Sequence, residues 1–315
     1  MIYVEMYGRL GNQFFRYAAA RSLQLNQFPD DQLVFNFQQI TDVQKKDSSF
    51  FNVLEDYNPT DYKIWDGNGK VIFRESNLAQ KAVLIPYYFG LRKIAPESMN
   101  IEVEYEDKWE ERLRNKGIYW FRRGFYPWKD TNATNKFISG NFEDPRYFGN
   151  IRSTLLKEFK TKHERSAKNM EYYHKIQCSE SVCISVRRGD FESNPEVKSL
   201  QSVCHKDYFE RAIAVIKQKV QNPVFFLFSD DVDWVKTNVQ TGECETYCED
   251  GTDPVWEKLR MMSMCKHFII SNSTFSWWAQ WLSTNDNKIV ISPSRWFNND
   301  YQSPLIDSNW ITIKV

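Results

Sequence analysis

Two arginines stand side by side in the stretch CISVRRGDF (183–191), at the end of an apolar run that contains β-branched residues. Arginine presents a planar fork of N–H donors that matches phosphate oxygens, so Arg187 and Arg188 could bind a diphosphate. Gly189 would let the backbone turn sharply after the strand. A surface salt bridge, for example with Asp190, is the alternative interpretation of these residues.

A run of hydroxyl side chains follows a second apolar stretch, in FIISNSTFSWWAQWL (268–282). Backbone N–H groups at the start of a helix, together with the hydroxyls of Ser273, Thr274 and Ser276, could form a pocket for an anion. The alternative is an ordinary N-cap provided by Ser273 or Thr274.

Two acids end a third apolar stretch, FLFSDD (226–231). The carboxylate of Asp230 or Asp231 could accept N–H bonds from a guanine edge, or it could hold a ribose hydroxyl. Asp231 and Asp233 also match the loose D-x-D pattern of some divalent-metal sites. The alternative is that these acids cap a helix or are simply solvated.

The loop YGRLGN (7–12) joins the first predicted strand to the first predicted helix. It does not match G-x-G-x-x-G, and the chain lacks the pattern G-x-x-x-x-G-K followed by Ser or Thr. No motif therefore supports a nicotinamide cofactor or ATP. A tight glycine turn would let Arg9 and Asn12 face a cleft from an opposite domain, whereas simple turn chemistry is the alternative.

Alternating strands and helices would bring three of these clusters to one edge of a sheet. The second half predicts a βαβαβαβ order with strands at 181–186, 223–231, 266–273 and 287–297, and helices at 205–220, 253–265 and 274–282. This order is typical of a parallel, doubly wound sheet, in which ligands bind beyond the carboxyl ends of the strands.

The first half opens in the same way, with a strand, a loop and a helix. Its predicted elements are strands at 2–6, 32–37 and 137–139, a helix at 13–25 with Asn12 as N-cap, and a helix from about Pro145. Residues 41–135 are poorly periodic, and we predict loops, short helices and one or two strands there, such as 81–89. A polar hinge near residue 165 would separate two Rossmann-like α/β domains, 1–165 and 166–315.

The composition argues against several classes of function. Lys plus Arg (41) balances Asp plus Glu (41), which argues against a general nucleic-acid or anionic-membrane binder, so any anion site must be local. Four His and six Cys without a C-x-x-C pair argue against a zinc site. The chain has neither a signal-peptide pattern nor an apolar run of about 18 residues, so we expect a cytoplasmic protein without stable membrane insertion. A peripheral position at the inner face of the membrane is the alternative.

Five stretches of the chain resemble the ordered motifs of the glycosyltransferase family 11 α-1,2-fucosyltransferases. They are GRLGNQFFRYAAARSL, GNFEDPRYF, VRRGDF, FLFSDD and SNSTFSWWAQWL, in this order from residue 8 to residue 282. The resemblance implies a GT-B fold, in which two Rossmann-like domains face each other across a cleft. Residues 1–165 would lie on the acceptor side, and residues 166–315 would bind GDP-fucose.

The resemblance also implies a reaction. L-fucose would move from GDP-β-L-fucose to the 2-hydroxyl of a terminal galactoside, with inversion at the anomeric carbon and no metal or other cofactor. The partners would be GDP-fucose and a galactose-containing glycan. The rival functions are a transferase that uses another nucleotide sugar or forms another linkage, and a non-catalytic carbohydrate-binding protein, which the many aromatic residues suggest.

The resemblance implies a role for each candidate residue. Arg187 would bind the β-phosphate with Arg188 beside it, and Asp230 or Asp231 would lie near the guanine. The residues expected near the phosphates are Ser273, Thr274, Phe275 and Ser276. Arg9 and Asn12 would face the donor from the first domain, and the predicted catalytic residues are Arg187, Asp190 and Asn12. As general base, Asp190 is the first candidate and Glu192 the second.

Two positions depart from the family pattern. Ser185 stands two places before Arg187, where the family usually has histidine, and this difference could alter a guanine or ribose contact. Glu143 stands where the family often has glutamine, and this difference could change the acceptor or the charge near the cleft.

Overall fold

Short parallel strands connected by helices make up both halves of the chain. The computed structural model describes residues 1–94 and 98–315. The chain divides into two units, Met1–Lys162 and His163–Val315, which we call unit 1 and unit 2. Each unit has its own parallel sheet, so the predicted α/β class is confirmed. The domain boundary near residue 165 and the roles given to the two domains stay predictions.

Unit 1 has a parallel sheet with the strand order β3-β2-β1-β5-β4. Its strands are β1 (Ile2–Glu5), β2 (Leu33–Asn36), β3 (Tyr62–Ile64), β4 (Ile118–Tyr119) and β5 (Lys136–Ile138). Its helices are α1 (Leu10–Gln27), α2 (Gln38–Gln44), α3 (Val71–Glu75), α4 (Leu78–Ile94), α5 (Met99–Arg114) and α6 (Arg152–Glu158).

Unit 2 has a parallel sheet with the strand order β11-β10-β9-β6-β7-β8. Its strands are β6 (Glu180–Val186), β7 (Pro223–Ser229), β8 (Thr246–Cys248), β9 (His267–Ile270), β10 (Val290–Pro293) and β11 (Ile311–Ile313). Its helices are α7 (Met170–Cys178), α8 (Gly189–Ser193), α9 (Pro195–Gln201), α10 (Lys206–Lys219), α11 (Val232–Asn238), α12 (Val255–Met264) and α13 (Thr274–Leu282). The predicted alternation is confirmed, and the structure adds the short edge strands β8 and β11.

The apolar spacing of two helices identifies the sides that they bury. Residues at intervals of three and four share one side of a helix, and that side packs on the sheet. The residues concerned are Phe15, Ala18, Ala19 and Leu23 of α1, and Phe209, Ile213 and Ile216 of α10 with Val220 just after it. All of them are buried, as the periodicity predicts.

Two helices of unit 1 begin elsewhere than the sequence predicts. α1 begins at Leu10, so the prediction that Asn12 is its N-cap is wrong. Gly8 has a φ of +76°, which turns the chain tightly and allows the helix to begin at once. The helix expected from Pro145 starts as two 3₁₀ turns and becomes α-helical only at Arg152.

The strand predicted at 81–89 is wrong, because these residues belong to α4. This helix is apolar on its buried side and on much of its exposed side, so its sequence resembles a continuous apolar run. Pro86 inside the helix further obscures the helical pattern. The neighbouring α5 begins at a cap, where the side chain of Ser98 accepts a hydrogen bond from the backbone N–H of Asn100.

The registers of the central strands of unit 2 align their carboxyl ends. On β6, Ser185 pairs with Phe228 of β7 and with Ile270 of β9. The residues that follow these strands therefore leave the sheet at the same edge. In the residues that the structure describes, no helix combines the length and the hydrophobicity needed to cross a membrane.

Candidate functional site

Arg187 lies just after β6, with its guanidinium group between two carboxylates. Its Nη1 is 2.6 Å from Oδ2 of Asp230, and its Nη2 donates to Oδ1 of Asp190 at 2.5 Å. The side chain keeps 23% of its surface exposed. A guanidinium group has five N–H donors, so these two contacts leave donors for a bound anion. The carboxylates thus fix the direction of Arg187 without using all of its hydrogen-bonding capacity.

Gly189 allows Asp230 to come this close. A Cβ atom added at Gly189 would lie only 2.6 Å from Oδ2 of Asp230, so any larger residue would push the acid away. The other oxygen, Oδ1, accepts the backbone N–H of Arg188 at 2.9 Å. The requirement for glycine therefore comes from the approach of a side chain, in addition to the turn that the sequence predicts.

Arg188 supports the site rather than pointing freely into it. Its Nε donates to Oδ2 of Asp231 at 3.2 Å, and its guanidinium carbon lies 4.0 Å from the ring centroid of Trp234. Asp231 also caps α11, since its Oδ1 accepts the backbone N–H of Trp234 at 3.1 Å. The salt bridge and helix cap considered from the sequence are both present here, at Arg188 and Asp231.

Three buried hydroxyls join the end of β6 to the start of α13. Oγ of Ser185 and Oγ of Ser276 are 2.7 Å apart, and Oγ of Ser271 is 3.3 Å from Oγ of Ser276. The backbone N–H of Ser271 donates to the carbonyl of Ser185 at 3.0 Å. Ser185, which departs from the family pattern, thus forms a hydroxyl pair that joins the end of β6 to the first turn of α13.

The amino terminus of α13 has the features expected of an anion site. Ser273 is at the N-cap position, but its side chain makes no capping hydrogen bond. The first turn of a helix has N–H groups without acceptors inside the helix, and its dipole favours negative charge. Thr274 and Phe275, which open the helix, are partly exposed, whereas Ser276 is buried. These residues and Arg187 follow neighbouring parallel strands.

In unit 1, the predicted donor-facing arginine is held by the segment that follows α2. Arg9 Nη2 is 3.1 Å from Oδ2 of Asp47, and its Nε donates to Oγ of Ser49 at 3.1 Å. Its guanidinium also lies over the ring of Phe50, 4.8 Å from the centroid. Its contact with a donor stays a prediction, as does that of Asn12.

Arg16 is a positioning residue that the sequence reasoning missed. It is 1% exposed, and its Nη1 donates to the carbonyls of Tyr7 at 3.1 Å and Asn12 at 2.8 Å. Burial lowers the pKa of its guanidinium. These bonds hold both ends of the loop that carries Arg9. An arginine within an otherwise apolar helical face, as in QFFRYAAA, is the signal that could have identified it.

Glu143 lies beyond β5, close to two arginines. Burial raises the pKa of its carboxyl, while the charges of Arg123 and Arg16 act in the opposite direction. The preceding residue, Phe142, has a φ of +54°, a conformation that non-glycine residues rarely adopt. Nearby, the hydroxyl of Tyr7 donates to Oδ1 of Asn141 at 2.7 Å. The carboxyl edge of the unit 1 sheet therefore also carries a polar cluster.

The two candidates for the general base differ in their surroundings. The carboxylate of Asp190 is paired with Arg187, and its role as proton acceptor stays a prediction. Burial of Glu192 favours a raised pKa, but hydrogen bonds from Ser202 and Lys198 dominate and leave the pKa below its ordinary value. A depressed pKa makes Glu192 a weaker proton acceptor than an ordinary glutamate.

Asp231 of the D-x-D pattern already has other contacts. Asp231 is used by Arg188 and by the cap of α11. Across residues 1–94 and 98–315, no group of three or more His, Cys, Asp and Glu side chains could hold a metal ion. Metal-independent activity stays a prediction.

Comparison with solved structures supports the fold class. The structure of a mutant of Arabidopsis thaliana FUT1 in complex with GDP superposes with a TM-score of 0.51 and 11% sequence identity. The superposition covers 94% of this chain and 71% of that one. At this identity the likeness concerns the fold alone. Together with the two parallel α/β sheets, it confirms the predicted GT-B class.

Sequence relatives come from bacteria and from animals. The chain is 27% identical to the O-antigen biosynthesis glycosyltransferase WbnK of Escherichia coli, over 99% of this chain and the whole relative. It is 33% identical to an α-1,2-colitosyltransferase of Escherichia coli, over 51% of this chain and 56% of the relative. It is 28% identical to human galactoside α-(1,2)-fucosyltransferase 1, over 33% of this chain and 29% of the relative.

The family can be assigned over nearly the whole length of the chain. The family model described as glycosyl transferase family 11 matches residues 1–314, which include both units and every motif discussed above. The chain therefore belongs to glycosyltransferase family 11.

Proposed function

We propose that this protein is an inverting, metal-independent fucosyltransferase. It would move L-fucose from GDP-β-L-fucose to the 2-hydroxyl of a terminal galactoside. Family membership supports sugar transfer, and the name of the human relative supports the linkage. The observation that carries the donor part is that Arg187 and α13 follow the neighbouring strands β6 and β9 at the carboxyl edge of one parallel sheet.

Charge stabilisation is the main contribution that this geometry could make. As the acceptor oxygen attacks the anomeric carbon, the bond to GDP breaks and its electron pair leaves with the diphosphate. Arg187 and the first turn of α13 would neutralise that charge, in the role that a divalent cation has elsewhere. Asp190 and Asp230 hold the guanidinium in place beforehand, so little reorganisation would be needed during the reaction. The hydroxyl proton would pass to a base, for which Asp190 remains the first candidate.

One assay tests the proposal. The protein is incubated with GDP-fucose and a panel of β-galactosides, with and without EDTA, and the linkage of the product is determined by NMR. We expect α-1,2-linked fucose in both conditions. Transfer that strictly requires added metal would contradict the metal-independent mechanism, and a failure to use GDP-fucose would contradict the donor.

A second candidate donor has support of its own. The relative with 33% identity is named as an α-1,2-colitosyltransferase, so a family member can transfer a different sugar with the same linkage. Competition between GDP-fucose and GDP-colitose for one galactoside separates the two candidates. If GDP-colitose has the lower KM and the higher kcat, colitose replaces fucose as the proposed sugar. The proposed roles of Arg187 and α13 would then stay the same.

A non-catalytic carbohydrate-binding protein is the rival from another class. That function predicts glycan binding without release of GDP from the donor. It gives no purpose to an arginine clamped between two carboxylates at the sheet edge where α13 also begins. The cytoplasmic location also stays a prediction, which cell fractionation can test.

A further inference from the structure

Helix α4 presents apolar side chains on two opposite sides. The side that packs into unit 1 carries buried residues at intervals of four, three and four: Gln80, Leu84, Tyr87 and Leu91. The side that faces solvent repeats these intervals with exposed residues: Leu78, Ala82, Ile85 and Phe89. Because a helix turns by about 100° per residue, the two sets lie on opposite sides. We call the exposed set the α4 stripe.

The α4 stripe is too exposed and too continuous to be ordinary surface. Leu78 is 87% exposed, Phe89 is 58% exposed and Ile85 is 42% exposed. Single exposed apolar residues are common in soluble proteins, but a contiguous apolar stripe usually marks an interaction surface. A helix that packs on a core normally turns a polar side to water. The stripe therefore implies that something other than water covers this side.

The charged residues of α4 itself are all positive. α4 contains Lys81, Arg92 and Lys93, and it contains no Asp or Glu. The helical geometry places Lys81 and Arg92 along one border of the stripe and Lys93 along the other. None of the three forms an ion pair with a residue that the structure describes. The surface thus combines an apolar centre with cationic borders.

An aromatic residue completes the border. Tyr88 is partly buried beside the stripe, and the guanidinium of Arg92 lies over its ring, 5.8 Å from the centroid. Tyrosine has an apolar ring and a polar end, so it suits a boundary between hydrocarbon and water. The arrangement matches a helix that lies in the plane of a membrane surface.

We propose that α4 binds to the surface of an anionic lipid bilayer. The α4 stripe would enter the head-group region, and the cations would contact lipid phosphates. With 17 residues, the helix would lie along the surface without crossing it. This inference is independent of the proposed reaction, because it concerns where the protein works. It also agrees with the balanced net charge, since the cationic surface is local.

A second copy of the chain fits the stripe less well. A two-fold contact would bring the same surface of both copies together, and cations line both borders of that surface. Like charges would then meet across an apolar contact, which disfavours the pair. An anionic bilayer instead offers negative charge to every cation of α4.

Vesicle sedimentation with the full chain tests this proposal. The protein is mixed with phosphatidylcholine vesicles, with or without phosphatidylglycerol, at low and at raised salt. We expect binding to the anionic vesicles that weakens as salt increases. The double variant Leu78→Ser/Phe89→Ser should lower the partition coefficient by more than about tenfold. The double variant Lys81→Gln/Lys93→Gln should lower it by roughly fivefold per charge removed.

Matched controls separate membrane binding from misfolding. Met170→Ser changes a methionine with 51% exposure on α7, outside the stripe, and should bind vesicles as the parent does. All variants should keep the parent circular dichroism and transfer sugar to a soluble acceptor at the parent rate, since α4 lies outside the candidate site. If the apolar variant does not fold, the charge variant provides an independent test at surface lysines.

Three results would overturn the proposal. The parent protein could fail to prefer anionic over neutral vesicles. The folded Leu78→Ser/Phe89→Ser variant, or the charge variant if only that one folds, could bind as strongly as the parent. Light scattering could instead reveal a dimer that the stripe variant dissociates, which would assign the stripe to contact between copies.

Discussion

Arg187 lies between Asp190 and Asp230, and this position determines how a diphosphate would meet it. A flexible arginine would have to be ordered during the reaction, whereas a clamped one already has its donors aimed. The paired arginines were evident in the sequence. The clamp was not, because Asp230 is more than forty residues away along the chain and arrives through the pairing of β6 with β7.

Replacing Arg187 should slow transfer with little effect on folding. In Arg187→Ala, kcat/KM for GDP-fucose should fall by about 100-fold to 1,000-fold, since a preorganised donor to a developing charge contributes about 2.7–4 kcal/mol. Steady-state kinetics measure the change. Arg211→Ala is the matched control, because Arg211 is also paired with an acid but lies exposed on α10. Near-normal turnover of Arg187→Ala at saturating donor would remove this residue from the mechanism.

Gly189 and Asp230 should behave as a coupled pair. Gly189→Ala would place a Cβ against Oδ2 of Asp230 and displace the acid from Arg187, so we expect a fall in kcat/KM of about tenfold. Asp230→Ala removes the atom that would clash. In that background Gly189→Ala should have little further effect, and a double-mutant cycle measures the difference. Fully additive effects would indicate that Gly189 acts through the backbone turn alone.

At the scale of elements, α5 carries a buried acid that holds the segment after β4. Glu106 is fully buried, and its carboxylate accepts the backbone N–H groups of Arg122, Arg123 and Gly124. Burial raises its pKa to about 7, although the three hydrogen bonds act in the opposite direction. In the unfolded chain this acid would titrate near its ordinary pKa of 4.5.

This raised pKa predicts a pH-dependent contribution to stability. The folded state holds the proton of Glu106 more tightly than the unfolded state, so stability falls as pH rises from about 4.5 to about 7. Glu106→Gln does not titrate. Its free energy of unfolding relative to the parent should therefore increase by about 2 kcal/mol between about pH 5 and about pH 8. Urea unfolding of both proteins measures the trend.

The matched control for Glu106 lies on the same helix. Glu104→Gln changes an exposed acid of α5 and should leave the pH dependence of unfolding as in the parent. A stability difference between Glu106→Gln and the parent that stays constant with pH would show that Glu106 has the same pKa in the folded and unfolded states.

The sequence predicted well the helices with one apolar side and the strands that are short apolar runs. α10 buries one face, and β6 and β7 are apolar runs bounded by polar turns, so local pattern and fold agree. α4 was missed because both of its sides are apolar. The short strands β4 and β11 were missed because two or three residues are too few to establish a period, and only their neighbours in the sheet define them.

The candidate site was predictable to a similar extent. Charged and hydroxyl residues at predicted strand ends identified Arg187 and the start of α13, since parallel strands end at one edge. The partners of those residues depend on register and on packing across the chain. The hydroxyl pair between Ser185 and Ser276 is an example, because its members are ninety-one positions apart. Sequence pattern alone does not specify such a contact.

At the scale of the whole molecule, the positive and negative charges are balanced. Nucleotide binding therefore tests one local site. With 41 basic and 41 acidic residues, the protein has no general attraction for anions. Stabilisation by GDP should therefore depend on Arg187 and on the guanine. GDP at about 100 times its Kd should add about 2.7 kcal/mol to the free energy of unfolding, which raises Tm by several degrees.

A comparison of nucleotides tests whether the site recognises guanine or only the diphosphate. UDP and dTDP carry the same diphosphate, so a smaller rise in Tm with them would support a guanine contact near Asp230 or Asp231. EDTA should leave the GDP effect intact, because Arg187 and α13 supply the positive charge in this mechanism. Arg187→Ala should lose most of the effect, while Arg211→Ala should keep it. An equal rise in Tm with all three nucleotides would contradict the guanine contact. A rise that requires Mg²⁺ would indicate that a metal ion, and not arginine, binds the diphosphate.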